Sequence, residues 1–145
     1  MATTMPHSNK STAQVFGVVF EVANLDEAAR GWGALLGDAG RRIRHGGGRH
    51  YIDLGTSILM LLDVSLGGRE PHPNGSDLYV TVPGHALEAY HARAASLGWL
   101  SRTDVHGQPA GAISVKPWGE RSFYVEDPWH NGMCFIDEET RFTGE

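Results

Sequence analysis

The spacing of apolar residues along the chain switches between the two-residue period of strands and the longer period of helices. The range 14–22 is rich in β-branched and aromatic residues, which predicts a first strand. Asn24, followed by Glu27, has the pattern of a capping box, and Gly37 suits a helix end. The apolar residues between these two signals recur at helical spacing: Leu25, Ala28, Ala29, Trp32, Leu35 and Leu36. Together they predict a helix that begins after Asn24 and ends at Gly37.

The same order of elements occurs twice along the chain. After the first helix, glycine-separated apolar segments predict three short strands, at 41–44, 50–54 and 57–64. The range 65–76 is rich in glycine and proline, which predicts a linker. The second half is predicted to contain a strand at 77–82, a helix at 85–97, and strands near 102–105, 122–126 and 133–137. The chain is therefore predicted to hold two β-α-β-β-β modules.

This pattern predicts an α+β fold in a single domain. The domain would span 14–145, with a first module at 14–64, the linker at 65–76 and a second module at 77–142, after a disordered segment at 1–13. One helix can cover only one face of its sheet. The other face of each sheet must therefore meet the other module, another chain or a ligand.

Composition and charge narrow the possible partners. The chain has 145 residues and a net charge of −5, and its basic residues are scattered, which disfavours nucleic acid as a partner. Its single cysteine, Cys134, cannot form an internal disulfide, and no apolar stretch is long enough to span a bilayer. We therefore predict a cytoplasmic protein that binds neither nucleic acid nor membrane.

Three segments resemble a known family. They are FEVANLDEA before the first helix, PWGERSFYVEDP at 117–128, and HNGMCF directly after Trp129. In this order, within paired modules, they resemble the vicinal-oxygen-chelate superfamily, which includes glyoxalase I, bleomycin-resistance proteins and extradiol dioxygenases. The resemblance implies two modules whose curved mixed sheets surround a cavity, with the helices on the outer faces. It also implies a homodimer, often with pockets built by both chains.

The resemblance identifies the positions that bind a divalent metal in the metal-dependent members. They correspond here to Gly17, Met60, Asp77 and Cys134. Glycine offers no donor atom, and a thioether is a soft ligand that suits magnesium, manganese, nickel or zinc poorly. The remaining aspartate and cysteine are fewer than the three or four ligands of a protein zinc site. We therefore predict that the protein uses no metal and no other cofactor.

The resemblance also bears on the turn before the last strand. His130 stands where the relatives usually have glycine. Asn131 and Gly132 are predicted to supply the positive φ angles that this tight turn needs.

Strand alternation predicts which side chains point away from the helices. In the strand at 77–82, the apolar residues at alternate positions would pack under the helix. The same parity in the other strands places these side chains on the cavity face: Val19, Glu21, Met60, Leu62, Asp77, Tyr79, Cys134 and Ile136. This mixed set suits a small organic ligand with an apolar body and a few polar groups. It suits an interface between modules or chains equally well.

Five polar or aromatic side chains have two interpretations each. Glu21 and Asp77 could act as acid and base, although carboxylates that are hydrated or paired with arginine are more common. Trp118 and Arg121 could hold a planar or anionic ligand, or form a structural turn. His106 lies on a glycine-containing loop that could close over a pocket, or it is an ordinary hydrated loop residue.

The function predicted from these signals is metal-independent binding of a small organic molecule, in the manner of glyoxalase/bleomycin-resistance proteins. One alternative is a lyase, isomerase or dioxygenase of the same superfamily that uses a divalent metal or a Glu/Asp acid–base pair. Another is a structural or regulatory dimer with a vestigial cavity. Because one scaffold hosts many activities, only the residues of the site can decide between them.

Overall fold

The computed structural model describes residues 11–43 and 48–144. The first module contains β1 (Gly17–Val22), α1 (Leu25–Leu36), β2 (Arg41–Ile43), β3 (Arg49–Asp53) and β4 (Ile58–Asp63). The second contains β5 (Leu78–Val82), α2 (Leu87–Leu97), β6 (Asp104–Val105), β7 (Gln108–Pro109), β8 (Ser114–Val115), β9 (Arg121–Glu126) and β10 (Gly132–Asp137). Most of the segment predicted to be disordered, and Arg44 of the predicted second strand, lie outside the described residues.

Each module forms a four-stranded mixed sheet, so the predicted α+β fold is confirmed. The first sheet has the strand order β1-β4-β3-β2 and the second has the order β5-β10-β9-β8. In each, the first strand of the module runs parallel to the last strand and the other neighbours are antiparallel. Neither of the two described α-helices is long and apolar enough to cross a membrane.

The first helix has the ends that the sequence predicts. The Asn24 side chain accepts a hydrogen bond from the Glu27 backbone N–H at 3.0 Å, and Gly37 ends the helix with a positive φ of 78°. The second helix begins later than predicted, at Leu87, because the residues before it, Gly84–Ala86, form a 3₁₀ turn.

A strand lies within the range predicted near 102–105, at Asp104–Val105, but it does not belong to the second sheet. Asp104–Val105 pairs with Gln108–Pro109 in a separate two-stranded hairpin. His106 and Gly107 have φ angles of 54° and 75°, the positive values that a two-residue hairpin turn requires. The edge of the second sheet is formed instead by β8, which pairs with β9.

The two modules share one apolar core. Helix α1 packs on β3 and β4, helix α2 packs on β9 and β10, and the helices contact each other. Trp32 is fully buried at the centre, 5.4 Å from the Phe20 ring and 5.0 Å from the Trp99 ring. The contact between Trp32 and Trp99 joins the two modules, because aromatic side chains bury large areas.

A buried carboxylate adds a polar connection between the modules. Asp127 lies on the turn between β9 and β10 and accepts a hydrogen bond from the Trp32 indole N–H at 3.1 Å. It also accepts from the backbone N–H groups of Trp129 and Asn131, at 2.9 and 2.8 Å. The Asn131 side chain donates to Asp127 at 3.0 Å and to the Glu21 carbonyl of β1 at 2.9 Å.

Replacing Trp32 by Phe tests the value of this connection. The variant keeps an aromatic ring but leaves a buried carboxylate short of one donor, so we expect a loss of about 1–3 kcal/mol in the free energy of unfolding. Chemical denaturation measures it. Trp129→Phe is the matched control, because the Trp129 indole forms no hydrogen bond within the described residues. Equal losses in the two variants would contradict a special role for the Asp127 bond.

Candidate functional site

The face of each sheet that points away from its helix is called here the helix-free face. Directly paired residues of neighbouring strands share a face. On the first sheet, Val19 pairs with Met60 and Glu21 pairs with Leu62. On the second sheet, Cys134 lies between its partners Tyr79 and Tyr124, and Ile136 lies between Thr81 and Ser122. The structure thus places seven of the ten predicted side chains on these faces: Val19, Glu21, Met60, Leu62, Tyr79, Cys134 and Ile136.

The helix-free face of the first sheet is apolar and partly open. The Val19 side chain is 45% exposed, whereas Met60 is buried against the neighbouring strand. The Met60 methyl group lies over Gly17: a Cβ atom added at residue 17 would be 2.4 Å from it and 3.1 Å from the Ile58 carbonyl oxygen. Any larger residue at position 17 therefore has to displace Met60.

Glu21, on the same face, is held in an ion pair. Its two carboxylate oxygens accept hydrogen bonds from the Arg69 guanidinium at 2.7 and 2.5 Å, and the His72 backbone N–H donates at 2.8 Å. The Arg69 hydrogen bond, followed by the His72 bond, lowers the pKa of Glu21 from 4.5 to about 2. A carboxylate with so low a pKa is a poor proton acceptor at neutral pH.

The helix-free face of the second sheet carries hydroxyl and thiol groups. Tyr79 is 52% exposed, and its hydroxyl lies 3.4 Å from that of the buried Tyr124. Cys134 is buried between them, and burial raises the pKa of its thiol to about 11. The Cys134 side chain is therefore a protonated, weakly nucleophilic thiol at neutral pH.

Asp77 lies just before β5, and its carboxylate covers Gly132. A Cβ atom added at Gly132 would be 2.1 Å from the Asp77 oxygen. Loss of hydration, and then repulsion from Glu126, raises the pKa of Asp77. Glu21 pairs with Arg69, and the carboxylate that interacts with Asp77 is that of Glu126. The structure therefore gives no support to a Glu21–Asp77 acid–base pair.

Arg121 does not lie on the helix-free face, and its assignment to the cavity is wrong. It is adjacent to Ser122, whose side chain occupies that face, so alternation turns Arg121 toward α2. There it forms ion pairs with Glu88 of α2 and with Asp137 of β10.

Trp118 and His106 form a contact with each other. The Trp118 indole N–H donates to Glu120 at 2.7 Å, and its ring lies 4.9 Å from the His106 ring in an edge-to-face arrangement. The contact joins the β6–β7 turn to the loop that precedes β9. This geometry matches the structural interpretation of Trp118.

Tyr79 also borders a cleft of about 360 Å³ at the free edge of β5. The cleft lies between this strand and the loop that connects β3 to β4. Larger clefts, of about 500 and 410 Å³, lie along α1 and beside the 126–130 turn, and one of about 380 Å³ is lined by Leu62, Leu66 and Arg69. Tyr79, which is 52% exposed, opens the second helix-free face to solvent.

Comparison with solved structures identifies the fold. A glyoxalase/bleomycin resistance protein from Albidiferax ferrireducens T118 is similar at a TM-score of 0.66, with 19% identity, over 83% of this chain and 95% of that one. The lactoylglutathione lyase of Agrobacterium tumefaciens gives 0.58 and 16%, over 88% and 95% of the two chains. The fosfomycin resistance protein FosX of Mesorhizobium loti gives 0.60 and 13%, over 88% and 92%. The chain has the vicinal-oxygen-chelate fold. Neither a protein-family model nor a curated protein matches the sequence.

Of the four positions that the resemblance matches to metal ligands, two offer no oxygen or nitrogen donor. Gly17 has no side chain, and the space above it holds the Met60 methyl group. Met60 has only a thioether, and Asp77 and Cys134 remain as two donors, fewer than a protein zinc site supplies. Among the described residues, no group of three or more His, Cys, Asp and Glu side chains is placed to hold a metal ion. The donor set of this chain therefore does not fit the divalent metal of the metal-dependent members.

The prediction for the turn between β9 and β10 is wrong. His130 has a positive φ, 70°, whereas Asn131 and Gly132, which were predicted to have one, do not. The left-handed position is thus the one at which the resemblance implies a glycine. The His130 ring contacts the Glu126 carboxylate across the turn, which adds an ion pair when the histidine is protonated.

Sequence reasoning missed three side chains near Cys134, namely Lys116, Ser122 and Tyr124. The two-residue period of the strand at 122–126 contains the signal for Ser122 and Tyr124, because it places both on the face of Cys134. Nothing in the sequence indicates that Lys116 is buried, since lysine is rarely buried unless it is paired.

The reactivity of Cys134 can be measured directly because the chain has one cysteine. Burial and the high pKa of the thiol both suppress thiolate formation. We expect iodoacetamide to alkylate the native protein at least about tenfold more slowly than the urea-unfolded protein at pH 8. Equal rates, followed by mass spectrometry, would contradict a buried and unactivated thiol.

Proposed function

We propose that the protein binds a small organic molecule on its helix-free faces without the help of a metal ion. The observation that carries this proposal is the contact between Met60 and Gly17, where a methyl group fills the space of a metal ligand. The apolar side chains of Val19, Met60 and Leu62 offer the ligand an apolar surface. Tyr79 adds a polar group that can fix its orientation.

The competing proposal is an enzyme with a divalent metal or an acid–base pair. FosX and lactoylglutathione lyase share the fold, but identities of 13% and 16% extend only to the fold. Among the described residues, the ion pair with Arg69 removes Glu21 from a Glu/Asp acid–base pair, and the Cys134 thiol stays protonated. We therefore favour binding over turnover.

We propose further that two copies of the chain associate through these faces. Val19 and Tyr79 are large side chains that stay half exposed on the helix-free faces of the two sheets. Exposed large side chains with apolar surface are typical of interaction sites. A second copy would cover them and would enclose the ligand between the chains.

A dye titration tests both proposals with one pair of variants. Nile red is a neutral dye whose fluorescence rises in an apolar pocket, and we expect it to bind equally well with and without EDTA. Val19→Glu places a charge on the helix-free face and should weaken dye binding about tenfold or more. Val115→Glu is the matched control, because Val115 is 61% exposed and pairs with Arg121, whose side chain does not lie on the helix-free face.

Sedimentation equilibrium on the same proteins reports association. We expect the wild-type chain and Val115→Glu to form dimers and Val19→Glu to shift toward the monomer. Dye binding that is lost in EDTA and restored by added Mn²⁺ would contradict metal independence. A monomeric wild-type protein at micromolar concentration would reject the dimer.

A further inference from the structure

The two modules meet at two equivalent junctions, and side chains close one of them. At the closed junction, the 127–131 turn between β9 and β10 contacts β1 and α1. Asn131, the last residue of this turn, donates its side-chain amide to the Glu21 carbonyl of β1 at 2.9 Å. Asp127, the first residue of the turn, accepts a hydrogen bond from the Trp32 indole N–H at 3.1 Å. Polar side chains thus fasten the second module to the first strand and helix of the first module.

The other junction lacks these connections. The corresponding turn of the first module, 54–57, joins β3 to β4 and is one residue shorter. The registers of the two hairpins align the ends of the turns, so Leu54 stands in the place of Asp127 and Ser57 in the place of Asn131. Neither residue has a carboxylate or an amide in its side chain. Within the described residues, no backbone hydrogen bond joins the 54–57 turn to β5 or α2.

A cleft of about 360 Å³ remains at this open junction, between the turn and β5. Because β5 is the end strand of its sheet and pairs there with β10, its free edge borders the cleft. Tyr90 of α2 supplies an aromatic wall, and its ring stacks on that of Phe135 with 5.4 Å between the centroids. Sites for small ligands typically have volumes of about 300–1,000 Å³. The open junction is therefore large enough to hold a small molecule.

The closed junction indicates which chemical group the open one can bind. Glu21 and Thr81 are the next-to-last residues of β1 and β5, and their ladder partners, Leu62 and Ile136, are the next-to-last residues of β4 and β10. The Glu21 carbonyl points away from β4, since it accepts its hydrogen bond from Asn131. The Thr81 carbonyl therefore points away from β10, toward the cleft. In a parallel strand the N–H and C=O of one residue point to the same side, so the Thr81 N–H faces the cleft as well.

We propose that the cleft binds a small peptide-like ligand, namely an aromatic amino acid whose amino and carboxyl groups are both in amide form. An amide N–H of the ligand donates to the Thr81 carbonyl, as the Asn131 amide does to the Glu21 carbonyl at the closed junction. A ligand carbonyl accepts from the Thr81 N–H, which extends the sheet by one short strand. The aromatic side chain packs against Leu54 and Tyr90, which both line the cleft.

The size of the cleft favours a free small ligand over a strand of another protein chain. Strand addition by a protein needs a long open edge, whereas here the 54–57 turn stands opposite β5 and limits the space. The inference does not depend on the proposed binding at the helix-free faces, because Leu54, Tyr90 and the edge of β5 lie at the junction between the modules.

Calorimetric titration with two matched probes tests the hydrogen bond to Thr81. N-acetyl-L-phenylalaninamide and N-acetyl-L-phenylalanine methyl ester have the same side chain and similar shapes, but the ester lacks the terminal amide N–H. We expect the wild-type protein to bind the amide about tenfold more tightly, because the ester leaves a strand carbonyl without its donor. Equal affinities for the two probes would overturn the proposal.

Two tryptophan variants test the location of the site. Ser57→Trp fills the cleft and should weaken binding of the amide at least about tenfold. Ser96→Trp is the matched control, because Ser96 is exposed on α2 and does not line the cleft. Val19→Glu, which alters the helix-free face, should also keep the affinity of the wild-type protein. Unchanged binding in Ser57→Trp would contradict a site at the open junction.

Backbone NMR of the wild-type protein gives a readout that does not rely on a variant. The amide should shift the ¹⁵N–¹H signal of Thr81 and leave that of Glu21, at the closed junction, unchanged. Binding without a shift at Thr81 would place the ligand elsewhere and overturn the proposal. If neither probe binds and Ser57→Trp shifts a wild-type dimer to the monomer, the cleft is an interface between two copies of the chain. If neither probe binds at all, the site is rejected, while the Nile red titration still tests the helix-free faces separately.

Discussion

The buried carboxylate of Asp127 is the constraint on which the arrangement of the two modules depends. A buried carboxylate must be surrounded by donors, and here they come from both modules: the Trp32 indole of α1 and the backbone and side chain of the β9–β10 turn. Asn131 extends the network to the backbone of β1. The helices pack on each other around Trp32 and Trp99, so the helix-bearing faces of both sheets are buried in one core. The helix-free faces are therefore left to contact a ligand or a second chain.

On the first of those faces, two positions that the resemblance matches to metal ligands, Gly17 and Met60, pack against each other. Met60 and Gly17 are coupled, because the methyl group of one occupies the space that a side chain at the other would need. Restoring a ligand at one of these two positions alone would therefore not restore a site. Cys134 lies among neutral groups, because the side chains of Ser122 and Tyr124 share its face, while Lys116 donates to carbonyl and hydroxyl oxygens.

Much of this was predictable from the sequence, and the failures have physical causes. The capping signals at Asn24 and Gly37 are local, so α1 was predicted with its observed ends. Strand alternation is also local, and it placed Val19, Met60 and Tyr79 on the helix-free faces. The β6–β7 hairpin was not predicted, because local patterns do not determine whether 104–105 or 114–115 pairs with the edge of β9. The burial of Lys116 and the pairing of Glu21 with Arg69 arise from contacts between distant parts of the chain.

The proposed binding of a small molecule on the helix-free faces needs no metal ion. Metal analysis of the purified protein tests this directly. The protein is prepared without added metal or affinity tags that carry metal, and divalent ions are quantified by mass spectrometry. We expect far less than one divalent ion per chain, and we expect this content to be unchanged by Asp77→Ala or Cys134→Ala. About one tightly bound divalent ion per chain, lost in either variant, would contradict it.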